Sequence, residues 1–406
     1  MASLLTPKRD CLRCKQSDGL CNGEVVVVTT SQSREAFVRC APTMEDGTPR
    51  EQAAKFYGCL PRLLEEAGFK LGDVILERVF FRDIGGDFET LRELRSDAYH
   101  LGGISESELP AASYVHQPPC VRGQAFEFQL QAVAPTEQGT VGIESLSELG
   151  PRTTGKVVRI GGHRHLYACN INGAQEGGAF ASDFREESDW MFAKSIPLLA
   201  DRATDFKHVL RTWCYLDDID RDYAEFNLSR NAFFSQHDIK RLPASTGIRA
   251  GLYPPEARCS FDLYALLNPD GAEIEVMHTP TLNEADEYGS AFSRGMKVSL
   301  PEKTVLFISG TASVDEKGDT VHVDDVPKQM ARMLLNVREL LQPHNSTFAH
   351  LVQVITYLKH ADYFLTFQSI ARNWGLAGVP NTVVEAGVCR PDLLCELEAI
   401  AVIPKA

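Results

Sequence analysis

The run LQPHNSTFAHLVQVITYLKHADYFLTFQSIARNWG, Leu341 to Gly375, occurs twice more in this chain in altered form. Leu64 to Tyr99 reads LEEAGFKLGDVILERVFFRDIGGDFETLRELRSDAY. Leu199 to Phe234 reads LADRATDFKHVLRTWCYLDDIDRDYAEFNLSRNAFF. In each copy the first leucine ends a helix-like run. At a common offset Val74, Val209 and Leu351 then open a β-rich run, which closes at Ile84, Ile219 and Ala361. A second helix-like run follows, and in it Arg95, Arg230 and Arg372 fall in register. The unit recurs roughly every 140 residues, far longer than a solenoid repeat of 20–45, so each copy should be a small domain.

Outward from that run the copies keep one pattern. Extended segments rich in Val, Ile and Phe come first, then an amphipathic helix such as Val326 to Leu341. Its apolar residues Met330, Met333, Leu334, Val337 and Leu341 fall at helical spacing. A β-run (LVQVITYL), a second helix and two final strands complete the unit. Strands and helices without strict βαβ alternation predict an α+β fold, a mixed sheet with helices on one face. The bare sheet face needs cover, and three sheets packed together supply it: one chain builds its own pseudo-trimer, with clefts where units meet. The expected division is an N-terminal arm over 1–23 and units over 24–149, 150–270 and 271–406, the third best preserved. The polar, Gly-rich stretches Pro135–Lys156 and Asn268–Gly289 are the candidate linkers.

The chain has 406 residues, 44% of them hydrophobic and 24% charged, the balance of a globular protein with a sizeable core. A net charge of −14 argues against a nucleic-acid partner, since phosphate binding needs a basic face. Neither a signal peptide nor a membrane-spanning run is evident, so a cytoplasmic protein without membrane contact is expected. The 11 cysteines then read as reduced thiols. Cys11, Cys14 and Cys21 form the only local cluster. Zinc would need a fourth ligand, such as Cys40, and no second CxxC exists, so no metal and no cofactor are expected.

The C-terminal stretch VCRPDLLCELEAIAV, Val388 to Val402, has the look of a buried strand yet carries Glu396 and Glu398. The two share strand parity. Either both lie on one solvated face, or they line a site, because a buried carboxylate must be paired, hydrogen-bonded or protonated.

The blocks FISGTASVDEKG, QMARMLLNVRELL, VITYLKHADYF and CRPDLLCELEAIAV resemble the Rid (reactive intermediate deaminase, YjgF-type) superfamily, whose chorismate-mutase-like units form trimers with sites between subunits. From Leu210 onward, RTWCYLDDIDRDYAEFNLSRNAFF, LPASTGI, YGSAFSRG, FISGTAS and CRPDLLCELEA are similar, in order, to the chorismatase branch. That resemblance implies cleavage of the enolpyruvyl ether of chorismate, or of a related cyclic carboxylate, with release of pyruvate. It implies Glu396 as catalytic acid and Arg211, Arg230, Arg294, Tyr288, Gly310, Thr311 and Cys389 around the substrate. Gly310 and Cys389 resemble the branch that makes 3-hydroxybenzoate; alanine at both resembles the branch that hydrolyses chorismate.

A substrate with two carboxylates calls for cationic anchors, and arginine's planar fork suits them. An acid that protonates the enol-ether methylene must itself stay protonated near neutral pH, which burial among apolar neighbours favours. Two departures stand against the resemblance. Asn381 replaces the arginine with which imine-hydrolysing Rid enzymes hold their substrate carboxylate, and of the tyrosine-rich stretch of chorismatases NEADEYGSAF keeps only Tyr288. An enamine or imine hydrolase and a non-catalytic small-molecule-binding protein remain the alternatives. The chain is expected to act as a monomeric pseudo-trimer or a higher homo-oligomer.

Overall fold

The computed structural model describes residues 7–13, 21–42, 47–146, 153–284 and 289–405. Three six-stranded mixed sheets follow one another along the chain. The first contains β1 (Lys8–Arg13), β2 (Cys21–Thr29), β3 (Ser33–Pro42), β4 (Val74–Phe81), β5 (Ala111–His116) and β6 (Phe126–Pro135), with helices α1 (Pro49–Glu66) and α2 (Ile84–Leu101). The second contains β7 (Val141–Ser145), β8 (Thr154–Ile160), β9 (His163–Asn172), β10 (Val209–Leu216), β11 (Ala244–Arg249) and β12 (Cys259–Leu266). Its helices are α3 (Phe184–Ala193), α4 (Ser195–Ala200) and α5 (Ile219–Gln236). The third contains β13 (Glu273–Val276), β14 (Gly295–Ser299), β15 (Lys303–Ala312), β16 (Leu351–Leu358), β17 (Asn381–Glu385) and β18 (Cys395–Pro404), with α6 (Val326–Leu341) and α7 (Phe364–Asn373).

Strand order is the same in all three sheets: β1-β2-β3-β6-β4-β5, β7-β8-β9-β12-β10-β11 and β13-β14-β15-β18-β16-β17. Only the last pair of each order, β4/β5, β10/β11 and β16/β17, runs parallel. The expected α+β fold of three tandem units is thus observed. The helix expected over Val326–Leu341 and the strand LVQVITYL fall as α6 and β16.

The central strands β4, β10 and β16 are buried at every residue. Helices cover one side of each, and neighbouring units cover the other. Gln129 of β6 donates to the Val354 carbonyl of β16 at 2.8 Å, and a buried Lys303–Glu35 ion pair ties the third unit to the first. Asp83, Asp218 and Asp325 cap α2, α5 and α6 through side-chain bonds to backbone N–H groups, satisfying donors that a helix start leaves unpaired.

Two expectations on boundaries differ from the geometry. Lys8–Arg13, taken as part of an arm, pairs with β2 as an edge strand. Within the stretches read as linkers lie the short strands β7 and β13; β7, counted with the first unit, pairs in the second sheet. Cys14 lies outside the described residues, and Cys11 and Cys21 fall in β1 and β2. Among the described residues no group of three or more His, Cys, Asp or Glu is placed to hold a metal. No helix there is long and apolar enough to cross a membrane.

Candidate active site

Both glutamates of β18 point inward: Glu396 and Glu398 are each 4% exposed. They meet different fates. Glu398 accepts hydrogen bonds from Arg211 Nη2 at 2.8 Å and from Trp213 Nε1 at 2.7 Å, both from β10 of the second unit. It is therefore a partner in a bond between units. Glu396 has no hydrogen-bond donor among the described residues and lines a cleft of about 340 Å³ between the second and third units. Burial raises its pKa to about 8, the charge of Glu398 pushes the same way, and Arg211 and Arg294 oppose. A carboxyl group so placed is largely protonated at neutral pH.

The bulge in β15 explains how this acid sits where it does. Ile308 pairs with Ala399 and Thr311 with Leu397, so Ser309 and Gly310 together face Glu398. The kink brings Gly310 against the carboxyl group. A Cβ on Gly310 would collide with Glu396 Oε1 and come within 3.1 Å of Thr246 Cγ2. Glycine is required here for close approach.

Three guanidinium groups surround the cleft. Arg230, from α5, donates to Asn227 Oδ1 at 2.6 Å, and its Nε has no partner among the described residues. Arg294, just before β14, is held by the carbonyl and side-chain oxygens of Asn283 at 2.7 and 3.0 Å. Phe292 lies between these two, with its ring 5.6 Å from each guanidinium carbon. Arg390, in the loop before β18, donates to the Gly318 carbonyl at 2.6 Å. Cys389 also lines the cleft. Burial and then the neighbouring Glu396 push its thiol up to about 12, so it is a neutral thiol at physiological pH.

The structure thus gathers Glu396, Arg230, Arg294, Gly310 and Cys389. It places two other expected residues elsewhere. Arg211 faces Glu398 and Thr246 Oγ1 instead of the cleft, because its position on β10 points toward the axis where the sheets meet. Thr311, one residue past Gly310, turns its hydroxyl to the Ser309 carbonyl. Tyr288 lies outside the described residues. Asn381 lines another cleft, between the third and first units, and accepts from Thr356 Oγ1 at 3.0 Å. Sequence reasoning missed Arg390, although it adjoins Cys389 in the quoted block, and it missed Tyr223 and Asn227. These two precede Arg230 by seven and three residues and share its helix face.

The other two interfaces repeat the frame without an unbonded carboxyl group at this position. Register matches Glu396 to Ser260 in β12 and to Glu127 in β6. Glu127 accepts from Arg39 Nε at 2.6 Å, and Arg39 also reaches Glu24 at 3.3 Å, so that carboxylate is neutralised by a salt bridge. Sheet one has no bulge between β3 and β6, whereas β9 and β12 keep the irregularity, with Asn170 at the place of Gly310.

Residues 288–403 match the family described as Endoribonuclease L-PSP. A crystal structure of a chorismatase shares the fold with a TM-score of 0.62 at 15% identity, over 92% of this chain and 99% of that one. By sequence the resemblance to the Rid (YjgF) superfamily holds in the third unit, and over the rest of the chain the chorismatase structure shows a shared fold. The 3-hydroxybenzoate synthase of Streptomyces hygroscopicus is 25% identical over 225 residues, 48% of this chain. That match spans 64% of the relative, less than two thirds of its length. A RutC family protein of Pyrococcus abyssi (strain GE5 / Orsay) is 24% identical over 111 residues, 27% of this chain and 84% of that protein.

Proposed function

We propose that this chain is a chorismatase-like enzyme that cleaves the enolpyruvyl ether of chorismate, or of a closely related cyclic dicarboxylate, and releases pyruvate. One observation carries the reading: a buried carboxyl group kept protonated to about pH 8 stands in a cleft ringed by Arg230, Arg294 and Arg390. The cleft's 340 Å³ falls within the roughly 300–1,000 Å³ usual for small-molecule sites. Two of the guanidinium groups suffice to hold two carboxylates. Glu396 then delivers its proton to the terminal methylene carbon of the enol ether, turning it into a methyl group and leaving an oxocarbenium centre. Water adds to that centre and gives a proton back to Glu396, and the hemiketal so formed breaks down to pyruvate and a ring alcohol; loss of water from the ring diol then gives the aromatic acid. Because Cys389 stays a neutral thiol, it shapes the pocket and does not attack.

Gly310 and Cys389 together favour 3-hydroxybenzoate as the ring product, a reading supported by the synthase relative. Imine hydrolysis has less support, since Asn381 stands in place of the anchoring arginine and in a different cleft. Purified protein incubated with chorismate should generate pyruvate, and Glu396→Gln should lower turnover by about 10²–10⁴ while ligand affinity persists. The rate should fall as pH rises through about 8, where Glu396 gives up the proton it must donate. Absence of pyruvate from the intact wild-type protein would end the proposal.

A further inference from the structure

The interface between the first and second units lacks the acid yet encloses about 680 Å³, twice the volume of the Glu396 cleft. A smaller hollow of about 150 Å³ adjoins it and shares the walls Glu108, Pro110, Ile143 and Ser145. Lys156 of β8 lines this hollow and is only 2% exposed. Its ammonium donates to the Glu108 carbonyl at 2.8 Å and to Ser145 Oγ at 2.6 Å. An ammonium has three N–H donors, so one remains unused by these partners. Both acceptors are uncharged oxygens, and among the described residues the Glu108 carboxylate acts on the ammonium without forming an ion pair. A buried cation without a counter-ion is costly, and a bound anion removes that cost. The other walls are apolar: Leu71, Val74, Tyr99 and Ile104.

We propose that the Lys156 hollow is a second, non-catalytic binding site for a small monocarboxylate with a compact apolar body, such as a simple aromatic acid. The carboxylate takes the free Lys156 donor and supplies the missing negative charge; the body packs on Leu71, Val74 and Ile104 and extends past Ile143 into the wider cleft. Desolvation pulls the Lys156 pKa down to about 8, with Arg95 acting in the same direction and Glu108 opposing, so the amine is mostly cationic at neutral pH. Ser260 and Asn170 stand where the other cleft has Glu396 and Gly310, so the buried acid of that cleft has no counterpart at this position. The inference does not depend on the chorismate reading.

Benzoate titrated into methyl-labelled full-length protein tests it. The methyl resonances of Leu71, Val74, Ile104 and Ile143 and the Lys156 Cε resonance should shift together and saturate. Lys156→Met should weaken that curve by at least about tenfold while leaving pyruvate release from chorismate unchanged. Should K156M not fold, the wild-type shifts alone decide. Resonances that stay in place up to high millimolar benzoate, or an unaltered curve in K156M, would overturn the site.

Discussion

At Gly310 one added methyl group would displace the Glu396 carboxyl group. The Cβ of an alanine would occupy the space taken by Glu396 Oε1. Gly310→Ala should therefore lower pyruvate release by about 10²-fold, the usual result of misplacing a reacting group by an ångström, with an unchanged circular-dichroism spectrum. A displaced acid should also alter the proportion of 3-hydroxybenzoate among the ring products. Glu396, Arg230, Arg294, Gly310 and Cys389 were legible in the sequence because blocks of recognisable residues surround them. Arg211 and Thr311 stand in the same blocks and lead elsewhere, since a strand alternates its faces and a bulge resets the alternation. Whether the glutamate pair faced water or protein was undecided by parity alone. The neighbouring unit decides it by burying the whole face.

At the scale of elements, β10 and β18 are joined across the unit boundary by Arg211, Trp213 and Glu398. Arg211→Met leaves the Glu398 carboxylate buried with one donor, and should cost about 3–5 kcal/mol in chemical denaturation. Adding Glu398→Gln should recover part of that loss, because the uncompensated charge is then gone. No recovery would show that the pair contributes through packing alone. Helix α6 and strand β16 were legible from periodicity. The edge strands β7 and β13 were not: they are short, lie in Gly-containing polar stretches, and have intermediate or exposed residues without a buried face. Their place is set by the longer strands they extend, which is tertiary information.

Across the whole molecule, three interfaces of one design have diverged in one chain. One has an acid without a hydrogen-bond donor in a ring of guanidinium groups, one has its glutamate tied to Arg39, and one has Ser260 in its place and Lys156 bonded to uncharged oxygens. The pseudo-trimer itself could be read from the threefold repeat, but which interface keeps its chemistry could not, since Glu127 and Glu396 look alike until their partners are known. The decisive measurement is a carboxyl ¹³C NMR titration of glutamate-labelled protein, with Glu396→Gln to assign the resonance. One carboxyl signal absent from E396Q should titrate near pH 8 and be protonated at pH 7. If that signal instead titrates in the ordinary range of exposed glutamates, around 4.3, Glu396 is ionised in the cleft and cannot be the acid.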